Sequence, residues 1–554
     1  MPVSINEAKK RLAFFIKKGK GSKRYFDIHP PVFYPAAIVV IVFIFITLIV
    51  GEPMDEVFSK TQNGIADNMG WFYILVVNFF LFFMIYLAIS RLGRIRLGGE
   101  EAKPDFTRLE WFAMLFSAGM GIGILFWSVA EPVFHFLNPA LTPEQSQQAA
   151  QNALNFAFLH WGLHAWGIYA LVAMSLAFFS FNKKLPLAIN SVFYPIFGNR
   201  VYGLLGNIIE ILAVVATLFG LATSLGFGVQ QVNAGLNYLF GINNNVSVQA
   251  LLILIITLIA TISVVSGLNK GVKRLSEMNI NLGAILLVFV IIFGPTLFIL
   301  DSFVQNTGNY LHHFFEKAFW TESYKSSNWQ NQWTIFYWAW WIAWSPFVGM
   351  FIARVSKGRS VREFVLGVLI VPTVLTFLWL TTFGGSAIFL EMNGIGNIAK
   401  MVQQDVSLSL YSLLENFPLA TISNFAAMIL IISFFVTSSD SGSLVVDSFT
   451  SGGKLNTPIP QRVFWAFTIG GIAAVLLMGG GLNALQTASI VSGLPFAVIL
   501  VLMSYSLYKG LNQEYLSEII RRKEKEKESY RDLVHDIIKR KDKDLYNNQD
   551  EIND

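Results

Sequence analysis

The chain contains no cysteine. A disulfide framework, a thiolate metal site and a cysteine nucleophile are therefore excluded. Charge is scarce as well. Asp, Glu, Lys and Arg make up 14% of the 554 residues, against about 25% in soluble globular proteins, which argues against a water-soluble multidomain enzyme. No cleavable signal peptide is expected, because the first 30 residues are polar and basic and the first apolar run begins beyond them. Apolar residues fill the chain instead: 54% are hydrophobic and 15% aromatic. The runs Ile38 to Val50, Trp71 to Ser90 and Ala284 to Leu300 are almost free of charge and belong to stretches approaching the roughly 20 residues that cross a bilayer core. The fold class is an all-α polytopic membrane protein.

About twelve spans are predicted by the bilayer-length criterion, centred near Val42, Phe80, Gly123, Leu171, Ala216, Leu254, Val288, Trp341, Leu375, Ile431, Ile472 and Ile499. The net charge of +5 sits mainly in loops and tails, where it sets topology and meets anionic lipid rather than nucleic acid. Basic residues cluster in the N-terminal arm (Lys9 to Arg24) and after the second, fourth, sixth and eighth spans: Arg91, Arg94 and Arg96; Lys183 and Lys184; Lys270, Lys273 and Arg274; Arg354, Lys357, Arg359 and Arg362. The alternate loops are acidic or neutral. Every basic loop thus lies on the side of the N-terminus, which the positive-inside rule makes cytoplasmic, and an even number of spans returns the C-terminus to that side. From Glu514 onward the composition turns to mixed charge with Leu533, Val534, Ile537 and Ile538 at helical spacing. A solvated helical end and a regulatory arm that contacts lipid or a neighbouring subunit both fit.

Two spans carry unusual sequences. The third holds Gly119, Gly121 and Gly123, each of which weakens a helix interior by roughly 1 kcal/mol relative to alanine. Glycine also lets membrane helices pack closely. Alternate residues, however, lie about 200° apart on a helix and share no face, so local unwinding explains the pattern better. The eighth span holds Pro346, which lacks a backbone donor and is expected to break its helix. Interrupted helices at corresponding places in two inverted halves mark a transporter's binding site. Spans 3–7 and 8–12 form those halves, with two spans in front.

Around the predicted second break lie Trp340, Trp341 and Trp344, related by helical spacing and forming one patch. The fourth span adds Trp161, Trp166 and Tyr169. Aromatic clusters with hardly a charge between them suit a quaternary ammonium ion, which has no N–H to donate and binds ring faces, at about 2 kcal/mol or more each when desolvated. The unwound amides of Gly119 to Gly123, near a half-helix N-terminus, suit the carboxylate of a zwitterion. The intramembrane acids are Glu131, Glu210 and Asp440. The hydroxyl run Thr437-Ser438-Ser439, with carbonyls freed by the glycine break, offers hard oxygen ligands for sodium, although such hydroxyls also bond back to their own helix. His160 and His164 lack a third ligand and are read as polar packing.

The segments Ala118-Gly119-Met120-Gly121-Ile122-Gly123 to Glu131-Pro132, and Phe336-Tyr337-Trp338-Ala339-Trp340-Trp341 through Trp344 to Phe351, resemble the betaine/choline/carnitine transporter family. The resemblance covers about residues 25 to 510. It implies a LeuT-type fold of two inverted repeats preceded by two extra helices, usually assembled as a homotrimer. The corresponding segments are 1–30, a basic cytoplasmic arm; 31–109, the two extra helices; 110–301, the first repeat; 302–332, an extracellular loop or amphipathic helix; 333–510, the second repeat; and 511–554, a charged cytoplasmic tail. The resemblance places the trimethylammonium box on Trp161, Trp166, Tyr169, Trp340, Trp341 and Trp344. It gives a gating role to Phe126, Phe336 and Phe351. One sodium falls to Ser117, Met120, Phe434, Thr437 and Ser438, and a second to Thr217 and Phe347, where Leu221 departs from the threonine of the family pattern.

The expected function is sodium-coupled uptake of glycine betaine across the plasma membrane by alternating access, serving osmoprotection. No prosthetic group and no enzymatic activity are expected. Choline, carnitine, ectoine, proline or a sulfonium analogue are alternative cargoes, and a receptor that binds solute without moving it is the rival class.

Overall fold

The computed structural model describes residues 26–51, 53–119, 121–266, 271–324 and 327–550. Most of the N-terminal basic arm, the predicted sodium ligand Met120 and Lys270 lie outside them. Among the described residues ten helices are long and apolar enough to cross a membrane, and no strand forms beyond one bridge between Arg96 and Ser360. Helix is the expected solution, because hydrocarbon offers backbone N–H and C=O groups no partners except their own.

The first two long helices are α1 (Pro30–Val50) and α2 (Met54–Ile89). The third span consists of two halves, α3 (Arg108–Gly119) and α4 (Ile122–Leu137). The fourth is α5 (Gln147–Trp161) and α6 (Leu163–Phe181). Then follow α7 (Leu204–Phe240), α8 (Val246–Ser266) and α9 (Gly271–Phe293). Gly294 and Pro295 end α9, so the outer amphipathic helix α10 (Thr296–His312) starts six residues earlier than its predicted segment, and a short α11 (Phe314–Ala318) completes it. The chain returns through α12 (Phe336–Val355), α13 (Val361–Leu380), α14 (Ser386–Met392), α15 (Ala420–Thr450) and α16 (Ile459–Asp550). A sharp bend at Gly480 and Gly481 divides α16; Gly481 adopts φ +56°, a left-handed conformation that side chains disfavour.

The unwinding predicted in the third span is present between Gly119 and Ile122, with Gly121 extended. The break predicted at Pro346 is not. Helix α12 runs unbroken through it. The hydroxyl of Ser345 takes the Ile342 carbonyl that Pro346 has no N–H to satisfy, which removes one of the two penalties of an internal proline. A further interruption falls in the fourth span at Gly162, where an added Cβ would meet the Phe158 carbonyl at 2.4 Å and the Phe377 ring at 2.8 Å.

The tryptophan-rich α12 is the central element, buried along nearly its whole length, whereas α1, α8 and α9 expose Ile49, Ile262 and Ile285 at the periphery. Helix α7 crosses it closely. A Cβ on Gly220 would stand 3.1 Å from the Ala343 carbonyl carbon, a tight contact that glycine avoids. The basic loops after the second, fourth and eighth spans meet at one end of the bundle. Arg96 donates to the Gly358 carbonyl (2.9 Å), and Asn182 donates to the Arg96 carbonyl (3.0 Å). Lys183 meets Glu514 (2.5 Å) and Arg522 meets Glu100 (3.0 Å), which brings the start of the tail to the same end.

Candidate substrate-binding site

The six predicted box residues come together where α5, α6 and α12 meet. Trp161 stands edge-on to Trp341 (ring centroids 4.8 Å) and to Trp340 (6.1 Å). Tyr169 lies 6.2 Å from both Trp341 and Trp344, and 5.6 Å from Trp166. The predicted patch on α12 is arranged differently from its helical spacing. The close pair is Trp340 and its neighbour Trp341, stacked at 4.5 Å and 17°. Trp340 turns toward Phe336 (5.5 Å) and Phe227 (5.2 Å), while Trp344 turns toward Phe347 (5.5 Å).

The alternating glycines explain how the break and the box fit together. A Cβ on Gly119 would lie 2.1 Å from the Trp166 ring, and one on Gly123 would lie 2.5 Å from Trp340 and 3.3 Å from Trp161. Gly121 faces Trp344 at an ordinary 3.8 Å. Each glycine therefore addresses a different indole. Unwinding brings residues that a helix would spread over opposite sides onto one wall. Helix α4 begins beside this wall, directing its free N–H groups and positive dipole end there.

From Trp344 a cavity of about 400 Å³ extends toward Glu110 at the beginning of α3, the end where the basic loops gather. Ser117, Phe434, Thr437 and Ser438, four of the five residues predicted for one sodium, line it together with Phe347 and Phe351. The Thr437 hydroxyl donates within α15 to the Ser433 or Phe434 carbonyl (3.1 and 3.2 Å) and accepts from Asn279 Nδ2 (3.3 Å). Of the two residues predicted for the second sodium, Phe347 lines this cavity and Thr217 does not. Thr217 donates to the Ala213 carbonyl one turn back (2.7 Å), and Leu221 packs on Gly442. Beyond Trp340 the rings continue as a packed cluster. Phe126 stacks on Phe227 (5.0 Å), and Trp127 contacts Phe227 (5.7 Å) and Phe336 (6.2 Å). Of the three aromatics predicted to gate, Phe126 and Phe336 belong to this ring cluster, and Phe351 lines the cavity.

Sequence reasoning singled out Glu131 only as an intramembrane acid. In the structure its fully buried carboxylate accepts from four donors: Tyr337 Oη at 2.5 Å, His160 Nδ1 at 2.6 Å, Trp161 Nε1 at 2.7 Å and His135 Nε2 at 3.3 Å. An ionised carboxylate has about four acceptor sites and no donor, so the histidine nitrogens that face it carry the protons. His160 is tied into this node rather than to His164, which pairs with Asn78 at 3.1 Å. The two histidines of the sequence reading thus have separate polar partners, His160 in this node and His164 at Asn78. The ligand atoms of Glu131, His135 and His160 lie within 4.8 Å of one another, a spacing that suits a metal ion. Both carboxylate oxygens are already occupied by N–H and O–H donors, so the arrangement is a hydrogen-bonded node.

The family model described as betaine/carnitine/choline family transporter matches residues 31–516. The chain belongs to this family. Its members are transporters, not enzymes, and so is this protein. It is 43% identical to a glycine betaine transporter of Acinetobacter baylyi over 89% of this chain and 74% of that one. Identity is 47% with a glycine betaine/proline/choline/ectoine transporter of Vibrio parahaemolyticus, over 88% of each chain. The glycine betaine transporter OpuD of Bacillus subtilis is 45% identical over 84% of this chain and 90% of its own.

Tyr337, Trp127 and Phe227 escaped the sequence reading of this betaine/carnitine/choline family transporter as site components. Tyr337 stood within the aromatic run, but only the fold reveals that its hydroxyl meets Glu131. Trp127 follows Phe126 directly, a neighbour that helical spacing would have placed on another face.

Proposed function

We propose that the protein imports glycine betaine, or a closely related quaternary-ammonium solute, by sodium symport and alternating access. The observation that carries this reading is the convergence of Trp161, Tyr169, Trp341 and Trp344 at the inner end of a cavity that Ser117, Thr437 and Ser438 also line. The rings provide faces for a cation without N–H groups. Buried donors supply the other end of a zwitterion: Trp344 Nε1 and Tyr169 Oη have no partner within the described protein, and a buried unpaired donor is worth about 1–3 kcal/mol to whatever group satisfies it. Hydroxyl and carbonyl oxygens along the cavity are the hard ligands an alkali cation takes. The plug of Phe126, Trp127, Phe227 and Phe336 on one side and the open cavity on the other correspond to an inward-facing stage of the cycle, with both termini cytoplasmic.

The same reading includes twelve spans in two inverted repeats after two extra helices, a homotrimer in the plasma membrane, contact with anionic lipid and an osmoprotective role. The breadth named for the Vibrio relative makes choline, proline and ectoine the alternative cargoes. The test is uptake of labelled glycine betaine into proteoliposomes, with an imposed sodium gradient replaced in turn by potassium or by a proton gradient. Uphill accumulation with sodium alone is expected. Accumulation driven equally by protons would end the sodium reading, and saturable binding without accumulation would make the protein a receptor.

A further inference from the structure

We propose that Glu131 is a positioning residue that gives the aromatic box its preference for a cation, acting through the indole of Trp161. This rests on the reading of the box as the head-group site. Trp161 is the last residue of α5, immediately before the interruption at Gly162. The helix is interrupted there for one residue and resumes at Leu163. The ring packs edge-on against Tyr337, Trp340 and Trp341, and the 2.7 Å bond from its Nε1–H to Glu131 is its one side-chain hydrogen bond among the described residues. Through His160 the same node reaches a second wall, because Trp341 Nε1 donates to the His160 carbonyl at 2.7 Å. Trp340 and Trp344 differ: their buried Nε1 groups have no such partner.

Burying a carboxylate is costly unless it is fully hydrogen-bonded. Four donors from α4, α5 and α12 meet that requirement, so the charge is retained in apolar surroundings, where its field is poorly screened. A charged acceptor on an indole N–H pushes electron density into the ring. Attraction between a cation and a ring face is electrostatic, governed by the ring's negative face. Glu131 thus strengthens the face that Trp161 presents to a cation without touching the cargo, and the fixed ring orientation keeps that face aimed into the box.

The experiment compares glycine betaine with 3,3-dimethylbutanoate, which has the same shape and carboxylate but carbon in place of the quaternary nitrogen. Both compete against labelled betaine in proteoliposomes holding wild type, Glu131→Gln or Trp161→Phe. In Glu131→Gln the KM for betaine is expected to rise about tenfold, with a smaller change in kcat, while inhibition by the carbon isostere, whose head group is uncharged, moves less than about twofold. Trp161→Phe keeps a ring but lacks the N–H, so it should narrow the same discrimination, and Glu131→Gln should add little to it. Equal losses for betaine and isostere would overturn the proposal in favour of a purely structural role, as would full additivity of the two substitutions or no effect of either. If Glu131→Gln does not fold, Trp161→Phe alone decides by the same comparison. Wild type that neither binds nor accumulates betaine would sink the functional reading and this inference with it. Equal losses in the variants beside a working wild type would sink the inference alone.

Discussion

The hydroxyl of Ser345 lies 2.7 Å from the carbonyl oxygen of Ile342, the acceptor that residue 346 would serve in an ordinary helix. Proline at 346 has no N–H, and the neighbouring serine substitutes for it in a buried stretch of the helix. Ser345→Ala should therefore leave a buried carbonyl unsatisfied and lower stability by about 1–3 kcal/mol. The double change Ser345→Ala with Pro346→Ala should recover most of the loss, because residue 346 regains its donor. Thermal unfolding in detergent would check this. Equal destabilisation of the single and double variants would mean that the serine is not the proline's compensation.

The three glycines at and beside the break should differ sharply in what they tolerate. A Cβ at Gly119 or Gly123 would penetrate a tryptophan ring, at 2.1 and 2.5 Å, whereas at Gly121 it would make an ordinary 3.8 Å contact. Gly119→Ala and Gly123→Ala are expected to raise the KM for betaine at least about tenfold by displacing box rings, and Gly121→Ala less than about threefold, since tenfold corresponds to about 1.4 kcal/mol. Uptake kinetics of the three variants give the ranking. If Gly121→Ala were the most damaging, the space at that position would belong to the cargo.

How much of this was legible in the sequence depends on whether the signal was local. The unwinding between Gly119 and Ile122 was, because alternating glycines are incompatible with one helical face. The aromatic box was nearly so, since Trp340, Trp341 and Trp344 share one segment and Trp161, Trp166 and Tyr169 another. The break expected at Pro346 was misjudged because proline's effect depends on whether a neighbour takes the orphaned carbonyl, and serine at 345 reads as an ordinary hydroxyl until its partner is seen. Gly162 went unnoticed for the complementary reason. A single glycine is unremarkable until the Phe377 ring from another span is packed against it. The Glu131 node was out of reach, since its donors lie up to 206 residues away in sequence.

The sodium response should depend on hydroxyls that line the cavity. Replacing Thr437 and Ser438 by alanine removes two hard ligands while leaving the box untouched. The sodium concentration for half-maximal uptake is expected to rise about tenfold or more, with a smaller change in the KM for betaine at saturating sodium. An unchanged sodium response would place the coupling ion elsewhere.

The tail tests the regulatory reading. Its first turns are anchored by Lys183 to Glu514 and Arg522 to Glu100, whereas Tyr530, Leu533, Val534, Ile537 and Ile538 are exposed. Truncation after Arg522 keeps both anchors, so uptake under iso-osmotic conditions should stay within about twofold of wild type, while activation by raised osmolality should fall, as expected if exposed basic and apolar residues engage anionic lipid. Normal osmotic activation of the truncated protein in anionic-lipid vesicles would make the tail a solvated end.

Lys317, in the short helix α11 outside the spans, gives a prediction whose sign can be worked out. Its ammonium donates to Asn152 Oδ1 at 2.7 Å and lies 5.2 Å from the Phe156 ring centre. Burial pushes its pKa down to about 8, against the opposing pull of Glu316. The unfolded chain keeps a lysine pKa near about 10.4. Below pH about 8 both states hold the proton, and the desolvation penalty on the folded state is fully present. Between about 8 and about 10.4 the unfolded state binds more protons, so stability rises with pH through that window. Lys317→Met should remove this rise and stabilise the protein at neutral pH by up to about 3 kcal/mol. Thermal midpoints of both proteins between pH 7 and 10 provide the comparison. Parallel curves would show that the ammonium keeps its solvent-like proton affinity despite its burial.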